Sequence, residues 1–206
     1  APLDVQFAVG QLPGRSPVSS LDLTDADGTR FTLSIVGPGV ARLDASANGY
    51  HLTLSDTDAS SRVEFAGSGG DGRVMLSGIT AANPLGSLVA PIASLRGAAT
   101  FTTIGSLSLA EMSAGASLEG NSLGSLSVNE DALGDLRLAG IGASGFVLGP
   151  VQVGGAIAGL WSISGRAHSI NAESTRADWR ANISAPLTQL ATRGDASGQF
   201  AAAALQ

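Results

Sequence analysis

Residues able to do chemistry are few and scattered in this chain. Its only histidines are His51 and His168, and it has no cysteine, which excludes thiol nucleophiles, cysteine metal sites and disulfides. His168 has charged company in Arg166, Glu173, Arg176, Asp178 and Arg180, a set able to line a polysaccharide-cleaving groove. The same charges also serve to restore a solvated surface after the uncharged run from Leu138 to Gly165, and this is the stronger reading. His51 alternates with Leu52 and Leu54, as a solvent-facing strand residue does. Alternating carboxylates at Asp25/Asp27 and Asp56/Asp58 have the spacing of calcium loops. A complete loop is missing, since Val36 stands where an EF-hand beginning at Asp25 needs its bidentate Glu. These aspartates read as turn residues bonding their own backbone. Glu130 and Asp131 also read as a turn, because neighbours on a strand point to opposite faces and cannot act across one bond.

Other motifs add no chemistry. Gly140-Ile141-Gly142 and Gly154-Gly155 neither follow a Rossmann strand nor open a helix, and no Gly-Lys-Ser/Thr is present. No Gly-x-Ser-x-Gly elbow with histidine and acid partners occurs either. The residues therefore nominate no catalytic, cofactor-binding or metal site, and no cofactor. Asn182-Ile183-Ser184 is a glycosylation sequon compatible with an extracellular surface.

Whatever positions these residues must be built from small side chains. Alanine (33), glycine (28) and serine (26) dominate while aromatics are 4%, so a core of bulky rings is ruled out. At 44% apolar the chain still has too much to bury for general disorder. The net charge is −6, with no lysine and eleven arginines spread singly, which argues against nucleic acid as a partner. The 28 uncharged residues from Leu138 to Gly165 are long enough to span a bilayer, but eight glycines and Pro150 interrupt them, so no membrane span is expected. Ala1-Pro2-Leu3-Asp4 carries no charged or apolar leader and reads as a processed end.

Period-two alternation in Leu3–Val9, Phe31–Ile35, His51–Leu54 and Arg62–Phe65 indicates strands, separated by Gly, Pro, Asn and Asp turns. Residues 1–83 thus form an N-terminal β region of about seven short strands, a cap or first coils, with 1–17 a candidate donor strand and linker. From residue 84 to 206 a repeat takes over. Leu85-Gly86-Ser87-Leu88 recurs as Ile104-Gly105-Ser106-Leu107 and Leu123-Gly124-Ser125-Leu126, each copy 19 residues after the last. Looser copies follow at Leu133-Gly134-Asp135-Leu136 and Leu148-Gly149-Pro150-Val151. That period suits one coil of a parallel β-helix, in which each turn lies about 4.8 Å above the previous one. The expected fold is all-β, a solenoid of about six coils, roughly 30 Å long. Leu88, Leu107, Leu109, Leu126, Val128, Leu136, Leu138, Leu148, Val153, Ile163 and Ile170 are expected inside. Aromatic rings are expected to be too wide for most rungs.

The repeated Leu/Ile-Gly-Ser-Leu, Asp25-Ala26-Asp27-Gly28-Thr29, Gly37-Pro38-Gly39, Ala177-Asp178-Trp179 and Ile183-Ser184-Ala185-Pro186 together resemble secreted bacterial parallel β-helix repeat proteins of the cell surface. The resemblance implies a solenoid and an extracellular address, and carries no catalytic residue with it. A solenoid has open strand edges at its ends. Leu3–Val9, followed by the flexible Gln11–Pro17, is a candidate to add to a neighbour's sheet, and Gln199–Leu205 a candidate to receive it. The expected function is an extracellular structural protein, a filament or surface-layer subunit that pairs with copies of itself and is not an enzyme. An adhesin or carbohydrate-binding module, with calcium at the Asp turns, is the alternative, and a β-helix polysaccharide-degrading enzyme ranks last.

Overall fold

The structure, a computed structural model, describes residues 5–142 and 145–204. Among these residues there are eighteen strands and no helix, so no helix is long and apolar enough to cross a membrane. The N-terminal part comprises β1 (Gln6–Gly10), β2 (Ser20–Thr24), β3 (Arg30–Val36), β4 (Val40–Ser46), β5 (Gly49–Ser55) and β6 (Arg62–Ser68). Two antiparallel layers result, β1-β4-β5 and β2-β3-β6.

These layers run directly into a parallel β-solenoid of about seven turns, with coils about 19 residues apart. Its strands are β7 (Val74–Ala81), β8 (Leu85–Leu95), β9 (Ala98–Met112), β10 (Ser117–Leu123), β11 (Leu126–Val128), β12 (Asp135–Leu138), β13 (Val151–Ile157), β14 (Leu160–Ile163), β15 (Ala167–Thr175), β16 (Arg180–Ile183), β17 (Leu187–Thr192) and β18 (Gln199–Ala202). Parallel pairing begins ahead of the first Gly-Ser-Leu copy, where β5 takes β7, and continues where β6 takes β8, the strand that opens on that copy. The first face continues β5-β7-β9-β10-β12-β14-β16-β18, and the second β6-β8-β9-β11-β13-β15-β17. Long strands bend around corners to make a third, narrower face, on which Leu95, Met112, Ala132, Ile157, Thr175 and Ala196 stack in turn.

Inside, like sits on like. One column runs Leu88–Leu107–Leu126–Val151–Ile170–Leu190, and a corner column runs Leu85–Ile104–Leu123–Leu148–Ala167–Leu187. All eleven residues expected inside are buried, none more than 6% exposed. Each buried aliphatic side chain contributes about 1.5–3 kcal/mol relative to exposure, and the narrow coil makes that burial available to every rung.

Glycine sets the corner. A Cβ on Gly105 would collide with the Gly86 carbonyl, one on Gly124 with the Gly105 carbonyl, and one on Gly149 with the Gly124 carbonyl. The repeated glycine is therefore a steric requirement of backbones closing on one another across the rungs. Leu148-Gly149 is thus the fourth copy in this column, displaced because Leu123 meets Leu148 rather than Gly142. The extra length lies between β12 and β13, where Ile141 is 89% exposed. Leu133-Gly134-Asp135-Leu136 belongs elsewhere, since Leu136 stacks on Leu118 of the first face.

The aromatic expectation needs correction at the C-terminal coils. Trp161 is fully buried, and its column neighbours are Leu136 and Ala181. The small Ala181 leaves room for Trp179, which meets Trp161 edge-on with centroids 6.1 Å apart and stacks on Phe200 at 6.1 Å. Wide rings fit where the next rung offers a methyl group.

Candidate functional site

The structure does not bring the charged residues near His168 into one site. His168 is the second residue of β15 on the second face, edge-on to Phe146 with ring centroids 5.2 Å apart and Nδ1 3.2 Å from the Ser169 hydroxyl. Arg166 lies over the same Phe146 ring, 4.7 Å from its centroid. Arg176 and Asp178 occupy the turn after the third face, and Arg176 pairs with Asp131 at 3.2 Å. Arg180 is on the first face and donates to the Gln199 side chain at 2.7 Å. Glu130 pairs with Arg73, while Asp131 also accepts the Ala156 N–H at 2.8 Å, so this acid pair ties coils together in a bend. His51 lies on the outer side of the first face, 3.1 Å from the Thr80 hydroxyl.

The aspartate turns are occupied by their own polypeptide. Asp27 accepts the Thr29 N–H at 2.9 Å and hydroxyl at 3.1 Å and, across the turn, the Asp71 N–H at 2.9 Å. These bonds, the Thr29 amide first, lower its pKa to about 2. Asp25 accepts the Ala26 N–H. Asp58 accepts the Ser60 hydroxyl and N–H, which lower its pKa in that order. Tyr50 is shifted up by burial first and then by the Asp25 carboxylate. Among the described residues no group of three or more His, Asp or Glu side chains is arranged to hold a metal ion.

The unpaired sheet edges lie at the two ends of the stack. At the N-terminal end the outermost strands are β1 and β2. Val5 accepts from Ala45 and Gln11 donates to Gly39, so odd-numbered residues of β1 face β4 and even-numbered ones face outward. Gly10 is covered by its bridge to Val18, which leaves the outward main-chain groups of Gln6 and Ala8 without a partner among the described residues. By the same alternation Ser20, Asp22 and Thr24 of β2 point away from β3, because Ile35 donates to Ser19 and Asp25 to Thr29. At the other end Gln199 and Ala203 donate back to β16, so Phe200 and Ala202 of β18 face outward. On β17 the outward residues include Gln189 and Ala191.

Apolar cover is incomplete at the same places. Phe7, Leu21 and Leu23 at one end, and Leu190, Phe200 and Ala202 at the other, pack on the core but are only partly buried. The last coil holds an open cavity of about 300 Å³ bordered by Trp179, Leu190, Ala196 and Phe200. Trp179 Nε1 is buried without a hydrogen-bond partner among the described residues. Of the segment expected as a donor strand, Leu3–Val9, the part within β1 pairs antiparallel with β4 of its own chain, and therefore offers a neighbour its free edge rather than the whole strand. Leu3, Asp4 and Leu205, parts of the two terminal segments singled out in the sequence, lie outside the described residues.

Strand polarity relates the two ends. β5 runs parallel to the first-face strands, β4 runs against β5, and β1 against β4, so two reversals restore the original direction in β1. On the second face β6, β3 and β2 do the same. Each face thus presents, at both ends, an outer strand of the same direction. Set against protein-family models, curated proteins and solved structures, the chain matches none.

Proposed function

We propose that this protein is a secreted bacterial structural subunit that stacks head to tail into filaments or a surface layer outside the cell. The observation that carries the reading is the shared polarity of the end strands. A copy displaced along the coil axis would set its β1 beside β18 and its β2 beside β17, both in parallel, continuing both faces without reversal. Such a contact is heterologous and open-ended, and repetition builds a filament rather than a closed ring. It would also cover the half-buried apolar residues at each end and supply partners for the free edges. The extracellular address rests on the resemblance of the repeat to cell-surface β-helix proteins. On this reading the chain is not an enzyme, and its partner is a further copy of itself.

Sedimentation velocity of the purified 206-residue chain over a wide concentration range tests it. A series of species growing in length with concentration is expected. A monomer that persists at the highest concentration overturns the proposal.

A further inference from the structure

The outer side of the second face is as regular as its interior. Ser108 lies beside Ser127, Ser127 beside Gln152, and Gln152 beside Asn171, one residue per rung. A second row begins at Asn129 and ends at Glu173 and Arg193, and Gly154 breaks it. A side chain at Gly154 would collide with the Asn129 carbonyl, so the gap in the row follows from close backbone approach. Between the rows lies a trough of about 500 Å³ that crosses four rungs, lined by Ser127, Asn129, Gln152, Asn171, Glu173 and Arg193. Among the described residues the side-chain amides of Gln152 and Asn171 make no hydrogen bond to protein, whereas Asn129 Nδ2 donates to the Pro91 carbonyl at 3.3 Å.

We propose that this trough binds an uncharged polysaccharide strand laid along the coil axis. Hydroxyl and amide side chains offer donors and acceptors together, which suits the vicinal hydroxyls of sugar rings. Rungs about 4.8 Å apart repeat that set at an interval close to the advance per ring of an extended pyranose chain. The only charges, Glu173 and Arg193, are opposite in sign and share one end, so the trough has no net field to hold a polyanion. Of the apolar residues along it, Val128, Val153 and Ala172 are buried in the core, which leaves too little exposed apolar surface for a lipid or a hydrophobic peptide. With no aromatic platform among the lining residues, binding is spread over several rings and depends on chain length. The trough runs along the flank of the stack and ends at β17, whereas Gln152 and Asn171 lie on inner rungs, so a test at these two residues reads the trough separately from assembly at the ends.

Affinity electrophoresis in gels containing hydroxyethyl cellulose, xylan, galactomannan or polygalacturonate provides the test. Retardation by at least one of the three neutral polymers is expected, insensitive to added salt and weakened about tenfold or more in Gln152→Ala/Asn171→Ala, whose thermal unfolding stays that of the parent. Asn182→Ala, which removes an exposed amide from the first face, leaves retardation unchanged. The proposal is overturned if no neutral polymer retards the chain, if the double variant is retarded like the parent, or if only polygalacturonate retards it and salt abolishes the effect.

Discussion

Gly105 stands one rung above Gly86, so close that any side chain on it would strike the Gly86 carbonyl oxygen. Repeated at Gly124 and Gly149, this contact lets the corner of the coil close at the spacing of the sheet. Gly105→Ala is therefore expected to lower stability by about 2–3 kcal/mol, while Ser106→Ala, on the outer side of the same corner, changes it by no more than about 0.5 kcal/mol. Urea unfolding of the two variants makes the comparison, and equal effects would show that the glycine is not required sterically.

The aromatic insert at Trp161 gives a second expectation. Its fully buried ring sits below Ala181 and donates to the Gly134 carbonyl at 3.3 Å. Trp161→Ala should cost about 3–5 kcal/mol through the cavity it leaves. Ala181→Leu should cost about 1–3 kcal/mol, because the space above Trp161 is already taken by Trp179. Thermal or urea unfolding measures both. A neutral Ala181→Leu would mean the rings are loosely held.

Asp27 links the turn at Asp25–Thr29 to that at Gly69–Asp71, with its carboxyl pKa lowered to about 2 from the ordinary 3.8. A folded-state pKa below the unfolded value adds stability above the unfolded pKa, and that stability is lost as pH falls through the folded one. The urea midpoint should accordingly drop between about pH 4 and pH 2, with a shallower drop in Asp27→Asn. Parallel profiles for the two proteins would remove the carboxylate from this role.

Much of the coil was legible in the primary structure, because its cause is local and repeated. A 19-residue spacing of Gly-Ser-Leu marks the rung, and the aliphatics beside it stack on their equivalents. The lengthened coil was less legible, since Leu148-Gly149 falls out of step once the residues before it loop outward. The fit of Trp161 depends on the methyl group of Ala181 one rung away, a relation between residues that no window on either contains. The open ends were foreseen in kind. Their shared polarity was not, because it follows from counting two antiparallel reversals through β4 and β3, pairings that alternation alone leaves undetermined. The flank trough is not legible for a similar reason: Ser127, Gln152 and Asn171 are ordinary polar residues until register sets them side by side.

Assembly should be separable from folding. The N–H groups of Ala8 and Ala202 point away from the strands they pair with, so proline at either position removes only a donor that faces outward. Ala8→Pro and Ala202→Pro are each expected to unfold within a few degrees of the parent yet to sediment as short species at concentrations where the parent elongates. Variants that elongate like the parent would place the contact elsewhere.

The most direct measurement uses the absence of cysteine in the chain. Gln6→Cys marks β1 and Gln199→Cys marks β18, and the two variants are mixed with a short bismaleimide. Head-to-tail stacking predicts covalent dimers in the mixture and almost none with either variant alone, because like ends never meet. Dimers formed equally well by each variant alone, or none in the mixture, would contradict it.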